Sequence, residues 1–238
     1  MLKLIEVNTY YEESHILHDI SLEVKFGEVV ALLGRNGVGK TTTIRSIIGL
    51  TTPRTGDITF KDKKIIGLKP FQIAREGIGF VPEERWIFPT LTVHQNLLIG
   101  MKTGQKHLQA GGTIDWSPER CYQAFPALKK RQFAKGRTLS GGEQQMLTIA
   151  RTLMGNPELI LVDEPTEGLA PLIVETVAEI IREINKEGLT VLLVEQKLPV
   201  ALELAGRIYV MSKGTVQWHG TPRELQERDE IRRSFLEV

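Results

Sequence analysis

The sequence predicts an α/β fold: a mostly parallel sheet core, an N-terminal antiparallel β subdomain, and an inserted helical subdomain. Three observations carry this. Short apolar runs alternate with helix-length stretches, as in sheets built from strand–helix–strand units. Two runs, Glu28-Val29-Val30-Ala31-Leu32-Leu33 and Leu159-Ile160-Leu161-Val162, are almost wholly apolar, which suits strands buried on both faces. Residues 84–150 read as helical inside that frame. The expectation is a single domain over 1–238, with 1–83 and 151–238 forming the core and β subdomain and 84–150 the helical insertion.

In chain order, Leu2 to Val7 and Ile20 to Lys25 alternate as strands do, and Gly27 and Gly34 bound the first buried strand. Thr41 to Gly49 reads as a helix stopped by glycine. Gly56 to Phe60 and Lys64 to Leu68 suit antiparallel strands, and Gly77 to Val81 a strand stopped by Pro82. Val93 to Met101 is helical. Residues 102–118, with Gly104, Gly111 and Gly112, read as a loop or mobile insertion. Ser117-Pro118 starts a helix, with proline at its first position. Gly142 to Met154 and Ala170 to about Lys186 are helices. Val191 to Val194 and Ile208 to Met211 are strands flanking a helix over Pro199 to Ala205. Val216 to Trp218 closes a hairpin, and the charged tail Pro222 to Leu236 reads as one helix with i,i+4 pairs.

Composition excludes several classes. With 238 residues, the chain can hide roughly 70% of its unfolded surface. Lys plus Arg is 30 against 29 for Asp plus Glu, so the basic excess usual for a nucleic-acid protein is absent and no nucleic-acid partner is expected. Cys121, the single cysteine, forms no internal disulfide and reads as structural. His15, His18, His94, His107 and His219 are scattered without ligand spacing. No apolar run approaches the ~18 residues of a membrane span, and Glu6 interrupts the N-terminal apolar stretch where a secretory signal would be continuous.

Gly34-Arg35-Asn36-Gly37-Val38-Gly39-Lys40-Thr41 fits G-x-x-x-x-G-K-[ST], the P-loop pattern. The glycines let successive N–H groups converge on a phosphate, and the following helix turns its positive end to the anion. Lys40 is placed to meet the β- and γ-phosphates, the Thr41 hydroxyl to meet Mg²⁺, and Thr42 the α-phosphate. The apolar strand ahead and the helix behind are the context the motif requires. Downstream, Leu159 to Val162 ends in Asp163-Glu164. A buried strand delivering carboxylates at its C-terminal end suits the ligand edge of an open α/β sheet. Asp163 is expected to hold Mg²⁺ and Glu164 to polarise the attacking water, because phosphoryl transfer depends mainly on a positioned nucleophile.

Between these sites lies Leu139-Ser140-Gly141-Gly142-Glu143-Gln144-Gln145. Taken alone it is a helix start with a serine cap. Taken with the two flanking sites, it resembles the signature motif of the ATP-binding cassette (ABC) ATPases, and the resemblance extends over essentially the whole chain. It implies a P-loop NTPase core of the RecA-like type, with ATP and Mg²⁺ as cofactors. It also implies a head-to-tail pairing in which Ser140, Gly141 and Gly142 face ATP on a partner's P-loop. Tyr11 matches the aromatic that stacks on adenine, and Gly168-Leu169-Ala170-Pro171 matches the loop that crosses the pair. There are two departures near the nucleotide. Glu83 stands where the family usually has a glutamine contacting Mg²⁺ and the transport partner. Gln196 stands where it usually has a histidine near the γ-phosphate, and glutamine cannot become a cation or shuttle a proton. Ala170 replaces the usual acid of the crossing loop.

Val81-Pro82-Glu83, Glu164 to Pro171 and Leu193-Val194-Glu195-Gln196 together resemble a subgroup serving bacterial branched-chain amino-acid importers, with urea importers as close relatives. Tyr10 to Leu17 and Gly34 to Lys40 lean towards the urea group, while Met146 and Glu83 lean towards amino acids. The resemblance implies a peripheral subunit on the cytoplasmic face of the bacterial inner membrane. Its partners would be a second, different ATPase, two transmembrane permease subunits and, indirectly, an external solute-binding protein; a homodimer is possible in isolation. Trp86, Phe88 and Leu91 are candidates either for the permease contact or for the core of the inserted helices. The rival readings are a soluble ABC ATPase outside transport and a non-hydrolysing ATP-binding regulator.

Overall fold

The structure is a computed structural model that describes residues 1–102 and 115–236. Most of the stretch read as a loop over 102–118, with Gly104, His107, Gly111 and Gly112, lies outside the described residues.

Two sheets organise the chain. Strands β1 (Leu2–Tyr11), β2 (Ser14–Val24), β4 (Thr55–Phe60) and β5 (Lys63–Lys64) form an antiparallel sheet in the order β2-β1-β4-β5. The second sheet comprises β3 (Val29–Leu33), β6 (Ile78–Val81), β7 (Leu159–Asp163), β8 (Thr190–Glu195), β9 (Arg207–Ser212) and β10 (Thr215–Gly220). Its order is β10-β9-β3-β8-β7-β6, parallel throughout except for the β9–β10 hairpin.

The strand expected over Lys64 to Leu68 pairs only at Lys63 and Lys64. Ile65 is buried, but Leu68 N donates to Ile65 O and Gly67 takes φ +80°, so the chain turns there. Pro70 then opens a helix that the sequence reading missed, α2 (Pro70–Glu76). Proline fits there because the first turn of a helix lacks an acceptor for its N–H in any case.

The parallel sheet is covered on both faces. Strand residues alternate: Leu159 and Leu161 join one apolar cluster, Ile160 and Val162 another. The first cluster takes in α1 (Lys40–Ile47), α2 and the antiparallel sheet. The second takes in the inserted helices α3 (Val93–Gly100), α4 (Pro118–Ala124), α5 (Pro126–Lys130) and α6 (Gly141–Leu153), and then α7 (Pro171–Lys186). Ala31, Leu33, Ile208 and Val210 meet α8 (Leu198–Leu204) and α9 (Pro222–Gln226) in a smaller cluster, against which Trp218 packs. The tail is two short helices, α9 and α10 (Asp229–Phe235), rather than one. Leu225 is fully buried and anchors α9, whereas α10 buries no residue completely.

Candidate nucleotide site

Sheet register assembles the site. Leu33 of β3 pairs with Glu195 of β8, Val194 with Asp163 of β7, and Val162 with Val81 of β6. Four loops therefore leave the sheet at one edge, which is where open parallel sheets present ligand groups. A cleft of about 430 Å³ opens there, lined by Tyr11, Ile16, Asn36, Gly37, Gly39, Lys40, Thr41, Thr42, Glu83, Glu164 and Glu167.

The loop from Gly34 to Gly39 leads into α1, which starts with no side-chain cap and no acidic residue in its first turn. Its positive end is left for an outside anion. Gly39 is demanded twice: its φ is +106°, and a methyl group there would come 2.7 Å from Leu17 Cδ2. Lys40 is buried. Its Nζ donates to Gly34 O at 2.8 Å and Arg35 O at 3.0 Å, and lies 3.0 Å from Glu164 Oε1. Arg35 and Val38 shape the loop without lining the cleft.

The acids gather opposite. Thr41 Oγ1 donates to Asp163 Oδ1 at 3.4 Å. Burial pushes the Asp163 carboxyl up to about 6; Thr41 opposes that rise, Glu164 and Glu83 add to it, and Lys40 opposes it. Glu83 is raised too, first by burial and then by Glu164, Glu84 and Glu167, with Lys40 acting against them. Glu164 holds φ +42°, a strained conformation for a glutamate. Its amide donates to Val194 O at 3.0 Å, which fixes the turn. Hydroxyl and carboxylate oxygens are the donors Mg²⁺ prefers. Among the described residues no three His, Cys, Asp or Glu side chains could hold a metal ion by themselves. A magnesium at Thr41 and Asp163 would therefore share its coordination with phosphate oxygens and water.

The other expected residues fall in three places. Tyr11 lines the cleft; burial raises its phenol, but hydrogen bonding with Thr42, Thr51 and Arg45 outweighs this and lowers it overall. Tyr10 stacks on His15 at 4.0 Å and does not line the cleft. Gln196 is exposed and outside the cleft wall. Its neighbour Glu195, missed by sequence reasoning, is buried and accepts from Thr166 Oγ1 at 2.6 Å and from the amides of Gln196 and Lys197 at 2.9 and 3.0 Å. Lys197 Nζ returns to Thr166 O at 2.8 Å. Glu195 thus clamps the turn after β8 to the turn after β7. A charged residue closing an otherwise apolar strand was the only signal for it.

Ser140, Gly141 and Gly142 do not line this cleft. Ser140 Oγ accepts from Glu143 N at 3.3 Å while Ser140 N donates to Glu143 Oε2 at 2.8 Å, a complete capping box. Gly142 is required by packing, since a methyl group there would lie 2.6 Å from Ile173 Cγ2 of α7. Glu167 and Ile16 also line the cleft; both lie in segments that carry the subgroup resemblance, but neither was singled out as a site residue.

A phosphate loop, a lysine and two strand-end carboxylates on a parallel sheet define a P-loop ATPase, here with an inserted helical segment. The family model described as ABC transporter matches residues 17–167. Over 237 residues, 99% of each chain, the sequence is 41% identical to the high-affinity branched-chain amino acid transport ATP-binding protein BraG of Pseudomonas aeruginosa. It is 35% identical, over 100% of this chain and 99% of the relative, to the probable branched-chain amino acid transport ATP-binding protein LivF of Archaeoglobus fulgidus. It is also 35% identical, over 95% and 92%, to the lipopolysaccharide export system ATP-binding protein LptB of Escherichia coli. A nucleotide-free ATP-binding cassette from an ABC transporter superposes with a TM-score of 0.81 at 27% identity, over 97% and 96% of the two chains. A cassette in a dimeric post-hydrolysis state bound to ADP and Pi gives 0.79 at 28%, over 94% and 99%. The chain belongs to the ABC transporter ATP-binding family, and it is an ATPase.

Proposed function

We propose that this chain is the energy-coupling ATPase subunit of an importer for branched-chain amino acids. It pairs head to tail with a second ATPase and works on two permease subunits at the cytoplasmic face of the membrane, with an external binding protein selecting the solute. The observation that carries the reading is that Lys40, Thr41 and Glu164 line one cleft, with the buried Asp163 behind them accepting from the Thr41 hydroxyl. The full-length likeness to BraG and LivF supports the solute class.

In this reading the P-loop amides and Lys40 bind the phosphates of ATP, and Tyr11 stacks on adenine. Thr41 and Asp163, with Glu83 nearby, would hold Mg²⁺, which would supply charge neutralisation on the phosphate oxygens. An incoming phosphate competes with Glu164 for the Lys40 ammonium. Freed from that ion pair, the Glu164 carboxylate accepts a proton from the attacking water. Gln196 takes the place, near the γ-phosphate, of the histidine that the family usually carries. Ser140, Gly141 and Gly142 face the partner's ATP, and closure of the pair moves the inserted helices against the permeases.

The test is to trap Glu164→Gln with ATP in the native membrane and identify what purifies with it. A second ATPase, two permeases and a neighbouring binding protein that takes up branched-chain amino acids are expected. A binding protein selective for urea would move the solute assignment. Export-type membrane subunits, to which the LptB likeness points, would overturn the importer reading, as would recovery of the chain with ribosomes or DNA.

A further inference from the structure

Arg85 leaves β6 two residues after Glu83 and joins two elements far from it in sequence. Its Nη2 donates to the backbone carbonyl of Glu167 at 2.8 Å. Its Nη1 lies against the first residue of α6: a methyl group built on Gly141 would come 2.7 Å from it. One built on Gly168 would lie 3.7 Å from Nη2. The backbone of Arg85 has φ +51°, and Ile87 N closes the turn onto Arg85 O at 2.6 Å. A long side chain keeps the left-handed conformation only where its surroundings impose it. The strained turn aims the guanidinium at both targets.

Capping α6 does not explain this placement. Ser140 and Glu143 already complete a capping box. Arginine has only donors, so it cannot serve the free N–H groups of a helix start. Its charge also lies at the positive end of the helix macrodipole, an arrangement an arriving anion relieves. The planar fork, with two nitrogens directed at different elements, is a geometry lysine cannot copy.

We propose that Arg85 is a positioning residue: it ties the segment from Glu167 to Ala170 to the start of α6, so that both meet the partner's nucleotide in one fixed arrangement. This rests on the head-to-tail pairing proposed above and adds to it a residue outside the recognised motifs.

The experiment uses the full chain carrying Glu164→Gln, alone and with the ATPase subunit that co-purifies with it. Light scattering reads ATP-dependent association, and a fluorescent ATP analogue reads affinity at the chain's own P-loop. Losing one charge-assisted tie predicts that Arg85→Ala weakens association by about tenfold or more. Own-site affinity should stay within about twofold, because Arg85 does not line that cleft. Arg85→Lys should not restore association. The inference is overturned if Arg85→Ala associates like its parent, if Arg85→Lys restores association fully, or if Arg85→Ala loses own-site affinity in step with association. If the parent shows no ATP-dependent association in either form, the pairing itself fails and takes the inference with it.

Discussion

Lys40 and Glu164 form a buried ion pair at the mouth of the phosphate loop, and neither can lose its partner cheaply. Removing one side of such a pair leaves an uncompensated buried charge, which is strongly destabilising. Lys40→Ala should therefore lower the melting temperature of the nucleotide-free chain as well as weaken ATP binding. A thermal-shift titration separates the two effects. In the parent, ATP at a hundred times Kd should add about 2.7 kcal/mol of stability by mass action; in Lys40→Ala that increment should vanish at the same concentration. Glu164→Gln keeps the shape and a hydrogen-bonding side chain but loses the carboxylate proposed as the base. It should bind ATP at least as tightly, because the competitor for the Lys40 ammonium is gone, and hydrolyse it about 10²–10⁴-fold more slowly, read as phosphate release. Unchanged turnover would refute the base assignment. Gln196 makes a smaller prediction. It is exposed and outside the cleft in this arrangement. Gln196→His should accelerate turnover at this chain's own site if a proton-carrying group there is limiting, and equal rates would remove that explanation.

Among the elements, α3 and the loop before it show how a buried polar side chain arranges an exposed surface. Asn96 is fully buried. Its amide nitrogen donates to Phe88 O and Thr92 O, each at 3.0 Å, and its oxygen accepts from Phe88 N at 2.8 Å. Trp86 and Phe88 are held outward on that loop, 51% and 44% exposed. Asn96→Ala should cost about 1–3 kcal/mol by leaving buried backbone groups unpaired, measured by denaturant unfolding. It should also weaken permease coupling while leaving nucleotide affinity intact. Helix α4 provides a control. Cys121 is buried against α6, donates to Ala150 O at 3.6 Å, and has its thiol pushed up to about 12 by burial. Reactivity requires an accessible thiolate. A maleimide should leave the folded chain unlabelled at pH 8 and modify it fully in denaturant.

Over the whole molecule, the parallel sheet separates two apolar clusters, one holding the phosphate loop's helix and the other the inserted helices. The strand-end loops join them: β7 contributes side chains to both clusters and ends in the carboxylates. Strand β7 thus borders both clusters. Trp86 is the probe for permease assembly. Assembly with the permeases should shift its emission to the blue as water leaves its ring, and Trp86→Phe should abolish the shift. No helix among the described residues is long and apolar enough to cross a membrane.

Local chemistry made much of this legible in the sequence. The glycine-lysine-threonine run, the apolar strand ending in Asp163-Glu164, the serine-capped start of α6 and the strand–helix alternation each depend on neighbours within a few residues. Their physics is the same before and after folding. The strand wrongly extended through Leu68 marks one limit, because the buried Ile65 satisfies a strand pattern and a turn equally well; the missed α2, opening at Pro70, marks another. What the sequence could not express was registration between distant segments. Glu195 looked like the end of a strand until pairing set it beside Leu33 and Thr166 met its carboxylate. Arg85 belongs to no motif in the sequence, and only folding brings Glu167 and Gly141 to its two nitrogens. The sequence by itself determined which chemical groups are present and the elements that carry them. Only the tertiary structure decided which groups meet, because a hydrogen bond or ion pair depends on distance in space, and the sheet's register sets that distance.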